Sequence, residues 1–287
     1  MLLQIPQDQN INVDGIKTRY WSLGHSGQTV ILLHGLGASA EIWMHNIAAL
    51  AKYRKVLVPD LPGFGRSEQP PPSFCPFDYA RFIDNFMKAL NIQKASLIGQ
   101  SLGGGIALQY ALQFPQKVEK LILVDCAGFG KDVRWTLKLM SLPWIGELVT
   151  YPTRLGVALF FKFAVHDPAI ITKEFIDIYY KIFTQPGFQA FMLKITRMLV
   201  DIHGGKSEVL APIMENLPKI KQPALIVWGA NDPVFPLQQA STGKEKMPNA
   251  RLNIMERCGH IPNLEKPEEF NNIVLEFLLG VDEDLIA

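Results

Sequence analysis

The sequence has little of what would place it in several common classes of protein. Its three cysteines, Cys75, Cys126 and Cys258, are an odd number without paired spacing, so they indicate free thiols rather than a disulfide framework. No cysteine–histidine cluster has the spacing of a zinc site, and we therefore expect no metal. The formal net charge of +1 provides no basic field for nucleic acid, so we expect no such partner.

Long apolar runs are also absent. No stretch reaches the ~18 apolar residues of a membrane-spanning helix, so we expect no stable membrane insertion. The first residues, MLLQIP, lack the basic region and long apolar core of a secretory signal. These absences predict a cytoplasmic protein. The 287 residues, 48% of them hydrophobic, are enough to bury a sizeable core.

What the sequence does contain centres on residues 94–114. A short apolar run at residues 95–98 leads into Gly99-Gln100-Ser101-Leu102-Gly103, and an apolar stretch of helical character follows. A G-x-S-x-G turn between a strand and a helix is the arrangement of a nucleophile elbow, which exposes a serine at a sharp corner. Glycines flank the serine because a Cβ on either side would collide with the strand or the helix.

Strand-like and helical patterns alternate along most of the chain. Extended runs flank Asp14-Gly15, a dipeptide typical of a hairpin turn. Further strands are predicted at residues 29–33, 55–59, 95–98, 121–124, 224–228 and 251–255, and helices at residues 40–50, 77–90, 237–247 and 267–279. From residue 129 to 217 the periodicity is helical, without a convincing strand. The predicted fold class is α/β, with a mostly parallel central sheet flanked by helices and a helical insertion.

Polar residues follow the ends of several predicted strands. Because the carboxyl ends of parallel strands gather at one edge of a sheet, these side chains are expected to converge. A serine nucleophile needs a base, and the base is best oriented by a carboxylate. We predict Ser101 as nucleophile, His260 as general base and Asp232 as the residue that orients it, a known order for such a triad. Asp125 is an alternative acid, and His34 is interpreted as structural.

Five motifs together resemble the α/β-hydrolase superfamily. They are HGLG at residues 34–37, DLPGFGRS at 60–67, GQSLGG at 99–104, GANDPVFP at 229–236 and CGHIPNLEKPEEF at 258–270. The chain is similar to capped serine hydrolases, among them carboxylesterases and meta-cleavage-product C–C hydrolases. The resemblance implies that the backbone N–H groups of Leu36 and Leu102 form an oxyanion hole. It also implies a core domain of residues 1–128 and 218–287 and a helical cap of residues 129–217.

The chemistry expected of such a chain is hydrolysis without a cofactor. Aromatic and aliphatic residues of the insertion favour carboxylic esters of small to medium apolar acyl groups as substrates. Trp43 and Phe129 are predicted to line an apolar pocket, and Arg197 is a candidate for binding a substrate carboxylate.

Two alternatives remain open at the level of the sequence. The SLGGG sequence after the elbow resembles hydrolases that cleave a carbon–carbon bond of ring-fission diketo acids, although Ile261 stands where those enzymes often have tryptophan. A slow or non-catalytic ligand receptor on the same fold is the other alternative. The oligomeric state is not predicted.

Overall fold

The computed structural model describes residues 5–25 and 27–280. Ten strands lie in these residues: β1 (Gln9–Val13), β2 (Ile16–Leu23), β3 (Thr29–Leu33), β4 (Lys55–Pro59), β5 (Ala95–Gln100), β6 (Val118–Val124), β7 (Val200–Asp201), β8 (Gly204–Gly205), β9 (Ala224–Gly229) and β10 (Ala250–Met255). Eight of them form one sheet in the spatial order β1-β2-β4-β3-β5-β6-β9-β10. The two-residue strands β7 and β8 pair only with each other.

The large sheet is mostly parallel, which confirms the predicted fold class. All pairs from β4 through β3, β5, β6 and β9 to β10 are parallel, while β1, β2 and β4 are joined by antiparallel pairing. At the predicted hairpin, Asp14 and Gly15 have φ angles of 50° and 83°. A tight two-residue hairpin requires such positive φ angles, so this dipeptide determines the turn.

Helices cover the sheet because its central strands are buried on both faces. In chain order they are α1 (Ile47–Ala51), α2 (Asp78–Ala89), α3 (Leu102–Gln113), α4 (Trp135–Ser141), α5 (Ile145–Val149), α6 (Arg154–Lys162), α7 (Lys173–Phe183), α8 (Phe188–Leu199), α9 (Ser207–Met214), α10 (Gln238–Lys246), α11 (Pro262–Glu265) and α12 (Pro267–Leu279). The helix predicted at residues 40–50 is instead a 3-10 turn, Ala40–Trp43, followed by α1. The Ala40 N–H donates to Asp60 at 2.7 Å, and this bond anchors the 3-10 turn at its first residue, separately from α1.

Six helices, α4 to α9, lie between β6 and β9, and we refer to residues 135–214 as the helical segment. Its helices were predicted from periodicity, whereas the β7–β8 pair was not, because two residues are too few to show a strand pattern. The segment packs onto the rest of the chain through aromatic rings. Phe64, in the loop after β4, contacts Phe188 and Phe191 of α8 with ring centroids 6.1 and 5.5 Å apart.

Across the described ranges, 5–25 and 27–280, no helix combines the length and apolar content needed to cross a bilayer. The largest buried side chains belong to one continuous hydrophobic core, which extends from the sheet into the helical segment. The carboxyl ends of β3, β5, β6, β9 and β10 therefore meet the helical segment along one edge of the sheet. The candidate site lies at this edge.

Candidate active site

Ser101 lies at the corner between β5 and α3. Its backbone has φ 54° and ψ −116°, a conformation that a non-glycine residue adopts only when its surroundings enforce it. The strand and the helix pack very closely around the two glycines of the motif. A Cβ on Gly99 would come within 2.3 Å of the Gly103 carbonyl oxygen, and one on Gly103 would come within 2.3 Å of the Leu33 carbonyl oxygen. The two glycines of the motif are thus required by strand–helix contact, and they present Ser101 at the sheet edge.

Asp232 and His260 form a hydrogen-bonded pair at the same edge. His260 Nδ1 donates to Asp232 Oδ2 at 2.9 Å, and both side chains are buried. The other carboxylate oxygen, Oδ1, accepts the N–H groups of Val234 and Phe235 at 2.6 and 3.1 Å. Because both oxygens are held, the carboxylate fixes the orientation of the imidazole and places its proton on Nδ1, leaving Nε2 to accept a proton.

Ser101 and His260 line one cavity, described below. Within the described part of the chain, Ser101 Oγ makes no hydrogen bond, so its hydroxyl retains its full bonding capacity. The hydrogen bond between a nucleophilic serine and its base commonly tightens only when a substrate is bound. The structure thus pairs His260 with Asp232 and places Ser101 and His260 in the lining of the same cavity.

Asp125 lies beside this pair, at the end of β6. Carboxylate oxygens of Asp125 and Asp232 and a ring nitrogen of His260 lie within 4.8 Å of one another. Asp125 Oδ1 accepts the Gly229 N–H at 3.0 Å, whereas Oδ2 has no partner among the described residues. Burial, and secondly the negative charge of Asp232, raise the pKa of Asp125 well above its ordinary value. These causes favour the protonated form of Asp125, and Asp232 rather than Asp125 makes the hydrogen bond to the imidazole.

The same three side chains carry donor atoms close enough to share a metal ion. Their arrangement is already explained by the hydrogen bond between His260 and Asp232 and by the backbone N–H groups that both aspartates accept. We assign no metal to the cluster, since a cation there would compete with the pairing that orients the imidazole.

Two residues outside the predicted set hold the His260 loop in place. Gln100 Nε2 donates to the His260 carbonyl oxygen at 2.9 Å, which ties the loop to the serine corner. Glu265 accepts the N–H groups of Gly259 and His166 at 2.9 and 2.7 Å. A signal for both was present, because Gln100 lies inside the GQSLGG motif and Glu265 inside the CGHIPNLEKPEEF motif. Their roles were missed because the bonds of Gln100 to His260 and of Glu265 to His166 span 160 and 99 residues of chain.

The backbone N–H groups of Leu36 and Leu102 are available as donors beside Ser101. Leu102 is the first residue of α3, where a helix offers no internal acceptor for the N–H group. Neither N–H donates to a protein acceptor in residues 5–25 and 27–280. Both residues line the same cavity as Ser101. Two amide donors and the N-terminus of α3 thus give this corner of the cavity a positive potential.

His34 supports the loop that carries Leu36. Its Nε2 accepts the Leu61 N–H at 2.9 Å, and its Nδ1 donates to the Gly35 carbonyl oxygen at 2.8 Å. The ring is fully buried, and burial lowers the pKa of His34 to about 4. A neutral ring with both nitrogens bonded to backbone is a structural element, as interpreted from the sequence.

A buried ionic network lies behind this loop. The Arg19 guanidinium donates to Glu41 at 2.9 Å and to both oxygens of Asp60 at 3.2 Å. Asp60 also accepts the N–H groups of Ala40 and Arg66 at 2.7 and 2.8 Å. These bonds connect β2, the end of β4 and the turn after the Leu36 loop, so they restrict how far that loop can move.

The cavity itself is large and apolar. Its volume is about 460 Å³, within the range of small-molecule sites. Ser101 and His260 belong to its lining, and the walls come mainly from α3, α4, α6 and α9, with Ile106, Met140, Phe160 and Val209 among the lining side chains. No Lys, Arg, Asp or Glu side chain lines it among the residues that the structure describes. The cavity is suited to an apolar group rather than to an anion.

Three residues predicted to contact substrate do not line this cavity, and that prediction is corrected. Trp43 is fully buried and packs against Phe270, with ring centroids 6.2 Å apart. Phe129 stacks on Trp228 at 6.3 Å, away from the cavity. Both rings are buried in the hydrophobic core and contact aromatic side chains there.

Arg197, the third of these, is already paired. Its guanidinium donates to both oxygens of Glu147 at 2.8 Å and to the carbonyl oxygens of Ser141 and Leu142 at 3.3 and 3.2 Å. The guanidinium therefore joins α8 to the end of α4, the following turn and α5. It is not available to a substrate carboxylate.

Comparisons with known proteins agree with this geometry. A family model described as “alpha/beta hydrolase fold” matches residues 28–144 and 182–267. An uncharacterized protein of Mycobacterium tuberculosis is 32% identical over 275 residues, which cover 91% of this chain and 78% of the relative. A 2-hydroxy-6-oxononadienedioate/2-hydroxy-6-oxononatrienedioate hydrolase of Burkholderia vietnamiensis is 30% identical over 277 residues, 94% of each chain.

A solved structure shows the same architecture. The meta-cleavage product hydrolase of Pseudomonas fluorescens IP01 matches with a TM-score of 0.82 and 29% sequence identity. The match covers 96% of this chain and 98% of that one. The similarity thus extends over the large sheet and the helical segment alike.

Proposed function

The chain belongs to the alpha/beta hydrolase family, and from that premise we propose that it is a serine hydrolase that cleaves carboxylic esters with an apolar acyl group. Ser101 is the nucleophile, His260 the general base and then acid, and Asp232 the carboxylate that orients His260. The proposal includes the division into a core of residues 1–128 and 218–287 and a cap of residues 129–217, with the cap forming much of the cavity wall.

In the acylation step, Ser101 Oγ attacks the ester carbonyl carbon while His260 Nε2 takes the hydroxyl proton. The Asp232 carboxylate, held by the N–H groups of Val234 and Phe235, stabilises the imidazolium that forms. Negative charge develops on the carbonyl oxygen, and the N–H groups of Leu36 and Leu102 donate to it. Each such donor typically contributes ~3 kcal/mol to the transition state.

The tetrahedral intermediate then collapses. His260 gives its proton to the alkoxide leaving group, which departs as an alcohol, and the acyl group stays on Ser101. In the second half, His260 takes a proton from water, the hydroxide attacks the acyl carbon, and the acid is released with Ser101 restored. The apolar cavity holds the acyl chain and excludes bulk water around it.

One observation supports the ester assignment above the others. The hydrogen-bonded Asp232–His260 pair opens onto an apolar cavity whose described lining has no charged side chain. An uncharged acyl chain enters such a site without losing strong hydration, whereas a carboxylate would lose its hydration without gaining a cation.

The test is Ser101→Ala assayed with p-nitrophenyl esters of increasing acyl length. We expect turnover to fall by at least about 10⁴-fold, because the remaining groups provide binding and charge stabilisation without a nucleophile. Ser207→Ala is the matched control, since Ser207 is exposed at the start of α9 and does not line the cavity. Turnover by the Ser101→Ala variant equal to that of the control would refute the assignment.

A second candidate is hydrolysis of a carbon–carbon bond in a ring-fission diketo acid. It is favoured by the names of the relatives from Burkholderia vietnamiensis and Pseudomonas fluorescens. It ranks second because its substrates carry carboxylates, and Arg197 is engaged by Glu147. Measuring kcat/KM for a dienoate diketone beside a medium-chain ester separates the two. A higher value for the dienoate would establish the second candidate and overturn the first.

A further inference from the structure

The helical segment exposes an unusual number of large apolar side chains. Of the fourteen large hydrophobic residues that are exposed in the described chain, nine lie between residues 135 and 163. They are Trp135, Trp144, Ile145, Leu148, Val149, Tyr151, Leu155, Leu159 and Phe163. We call this set the apolar face. Single exposed hydrophobic residues are ordinary, but a group of this kind marks a surface that meets another apolar phase.

The spacing of these residues shows that they form faces of helices rather than isolated exposures. Leu155, Leu159 and Phe163 follow one another at i, i+4 and i+8 along α6 and its end, while Val157 and Phe161 on the opposite side are buried. Trp144, the residue before α5, and Leu148 within it are likewise four residues apart. Trp144 is 86% exposed and Leu148 77%, so neither contributes to the core.

The apolar face is continuous with the cavity. Trp135, Val149, Leu159 and Phe163 belong to the exposed set and also line the cavity that contains Ser101. These four residues join the apolar face to the cavity, so an apolar molecule could pass from this surface toward Ser101 along apolar side chains.

Charges around the face indicate which partner it fits. Between residues 131 and 163 there are five basic residues and two acidic ones, and the acidic Glu147 is already held by Arg197. Arg154 pairs with Asp177. Lys131, Arg134, Lys138 and Lys162 make no ion pair within residues 5–25 and 27–280. Free cations beside exposed Trp, Tyr and Leu side chains are the composition of a segment that lies on an anionic membrane surface.

We propose that the apolar face docks onto an anionic phospholipid surface and takes its apolar substrate directly from it. Docking of the apolar face is inferred from the exposed residues and the charges alone, whereas delivery of an ester to Ser101 rests on the proposed function. A second copy of this chain fits the face less well. A twofold interface places the same patch on both sides, so the unpaired cations of the two copies would face each other.

The binding experiment uses the full chain carrying Ser101→Ala, so that hydrolysis does not alter the lipid. Flotation with phosphatidylcholine vesicles is compared with flotation using vesicles that also contain phosphatidylglycerol. We expect association with the anionic vesicles that weakens as salt is raised. Adding Trp144→Ser and Leu148→Ser should weaken the apparent affinity about tenfold, because two large apolar side chains no longer enter the interface.

Tyr53→Ser is the matched control. Tyr53 is also an exposed aromatic residue, but it lies just before β4, at the opposite edge of the sheet from the site. The control should float like the parent. Absence of vesicle binding by the parent, or equal binding by the double variant, would overturn the proposal. A dimer that is lost in the double variant, without vesicle binding, would assign the face to a second copy instead.

A kinetic experiment with active enzyme separates this proposal from the proposed function. The Trp144→Ser/Leu148→Ser variant should hydrolyse a water-soluble short ester as the parent does, since neither residue lines the cavity. Its rate on an ester embedded in anionic vesicles should fall about tenfold with the lost docking. Vesicle binding without hydrolysis of any ester would refute the proposed function and leave the docking standing. Equal rates of both proteins on the embedded ester would refute delivery from the surface.

Discussion

The sheet edge and the helical segment solve different physical problems. At the sheet edge, polar side chains such as Asp232, His260 and Gln100 are buried, and their partners are fixed to about 3 Å. In the helical segment, the cavity wall is apolar and much of the outer surface is apolar as well. The reaction and the choice of substrate therefore depend on separate parts of the chain. The sheet edge is held by directional hydrogen bonds, whereas the helical segment acts through its shape and its apolar area.

The two regions also differ in tolerance to change. Beside Ser101, a Cβ added at Gly99 or Gly103 would lie 2.3 Å from a backbone carbonyl oxygen, so even one methyl group has no space. Along the cavity wall, apolar residues of similar shape can replace one another at modest cost. Variants in the first region should therefore abolish activity or stability, and variants in the second should change specificity.

The largest expected effect concerns the acid that orients His260. Asp232→Asn should lower kcat by about 10⁴-fold, because an amide favours the wrong imidazole tautomer. Asp125→Asn is the matched control. It keeps an acceptor for the Gly229 N–H and should lower kcat less than about tenfold, because the bond to the imidazole is made by Asp232 and burial raises the pKa of Asp125. Steady-state kinetics on one ester measures both, and the reverse ranking would make Asp125 the functional acid.

The next effect concerns packing at the serine corner. Gly103→Ala should destabilise the protein by about 3 kcal/mol, because its Cβ would overlap the Leu33 carbonyl oxygen. Gly105→Ala, two residues further along α3, has its nearest neighbour at 3.1 Å and should change stability by less than about 1 kcal/mol. Denaturant unfolding of the two variants provides the measurement, and equal losses would show that the corner is not unusually tight.

His34 should make the protein sensitive to acid. Burial lowers its pKa to about 4, so the unfolded chain binds a proton on His34 that the folded chain does not. Its contribution is fully present above the unfolded pKa of ~6.5 and is lost as pH falls toward the folded value, by about 2 kcal/mol at pH 5. His34→Gln should flatten the pH dependence of unfolding by that amount. Glu41 and Arg19 are the charged groups that face the ring, and both remain in this variant. An unchanged pH dependence would exclude His34 as the cause.

The smallest expected effect concerns the cavity wall in the helical segment and the length of the acyl chain that it accepts. Val209 lines the cavity from α9, so Val209→Phe should shorten the space for an acyl chain. We expect kcat/KM for a long-chain ester to fall about tenfold while that for an acetyl ester is unchanged. Val209→Ala is the control and should favour longer chains. Parallel losses on short and long esters would mean that α9 supports the reaction itself rather than the choice of substrate.

Much of the fold could be predicted from local patterns. The strands at residues 29–33 and 55–59 and the helix at 267–279 were predicted with the bounds that the structure has. The 3-10 turn at Ala40–Trp43 was missed because it depends on the hydrogen bond that the Ala40 N–H donates to Asp60, which is 20 residues away. Periodicity records only which face is apolar, so it cannot show such a bond.

The sequence by itself determined the α/β fold, the strained corner at Ser101 and the set of polar residues at the strand ends, because glycine spacing, burial periodicity and strand order act locally along the chain. Only the tertiary structure decided that Trp43, Phe129 and Arg197 face away from the cavity and that Gln100 and Glu265 brace the His260 loop. It also decided that the exposed apolar residues gather at one entrance. These features depend on how distant elements pack against each other, and no short stretch of sequence carries that information.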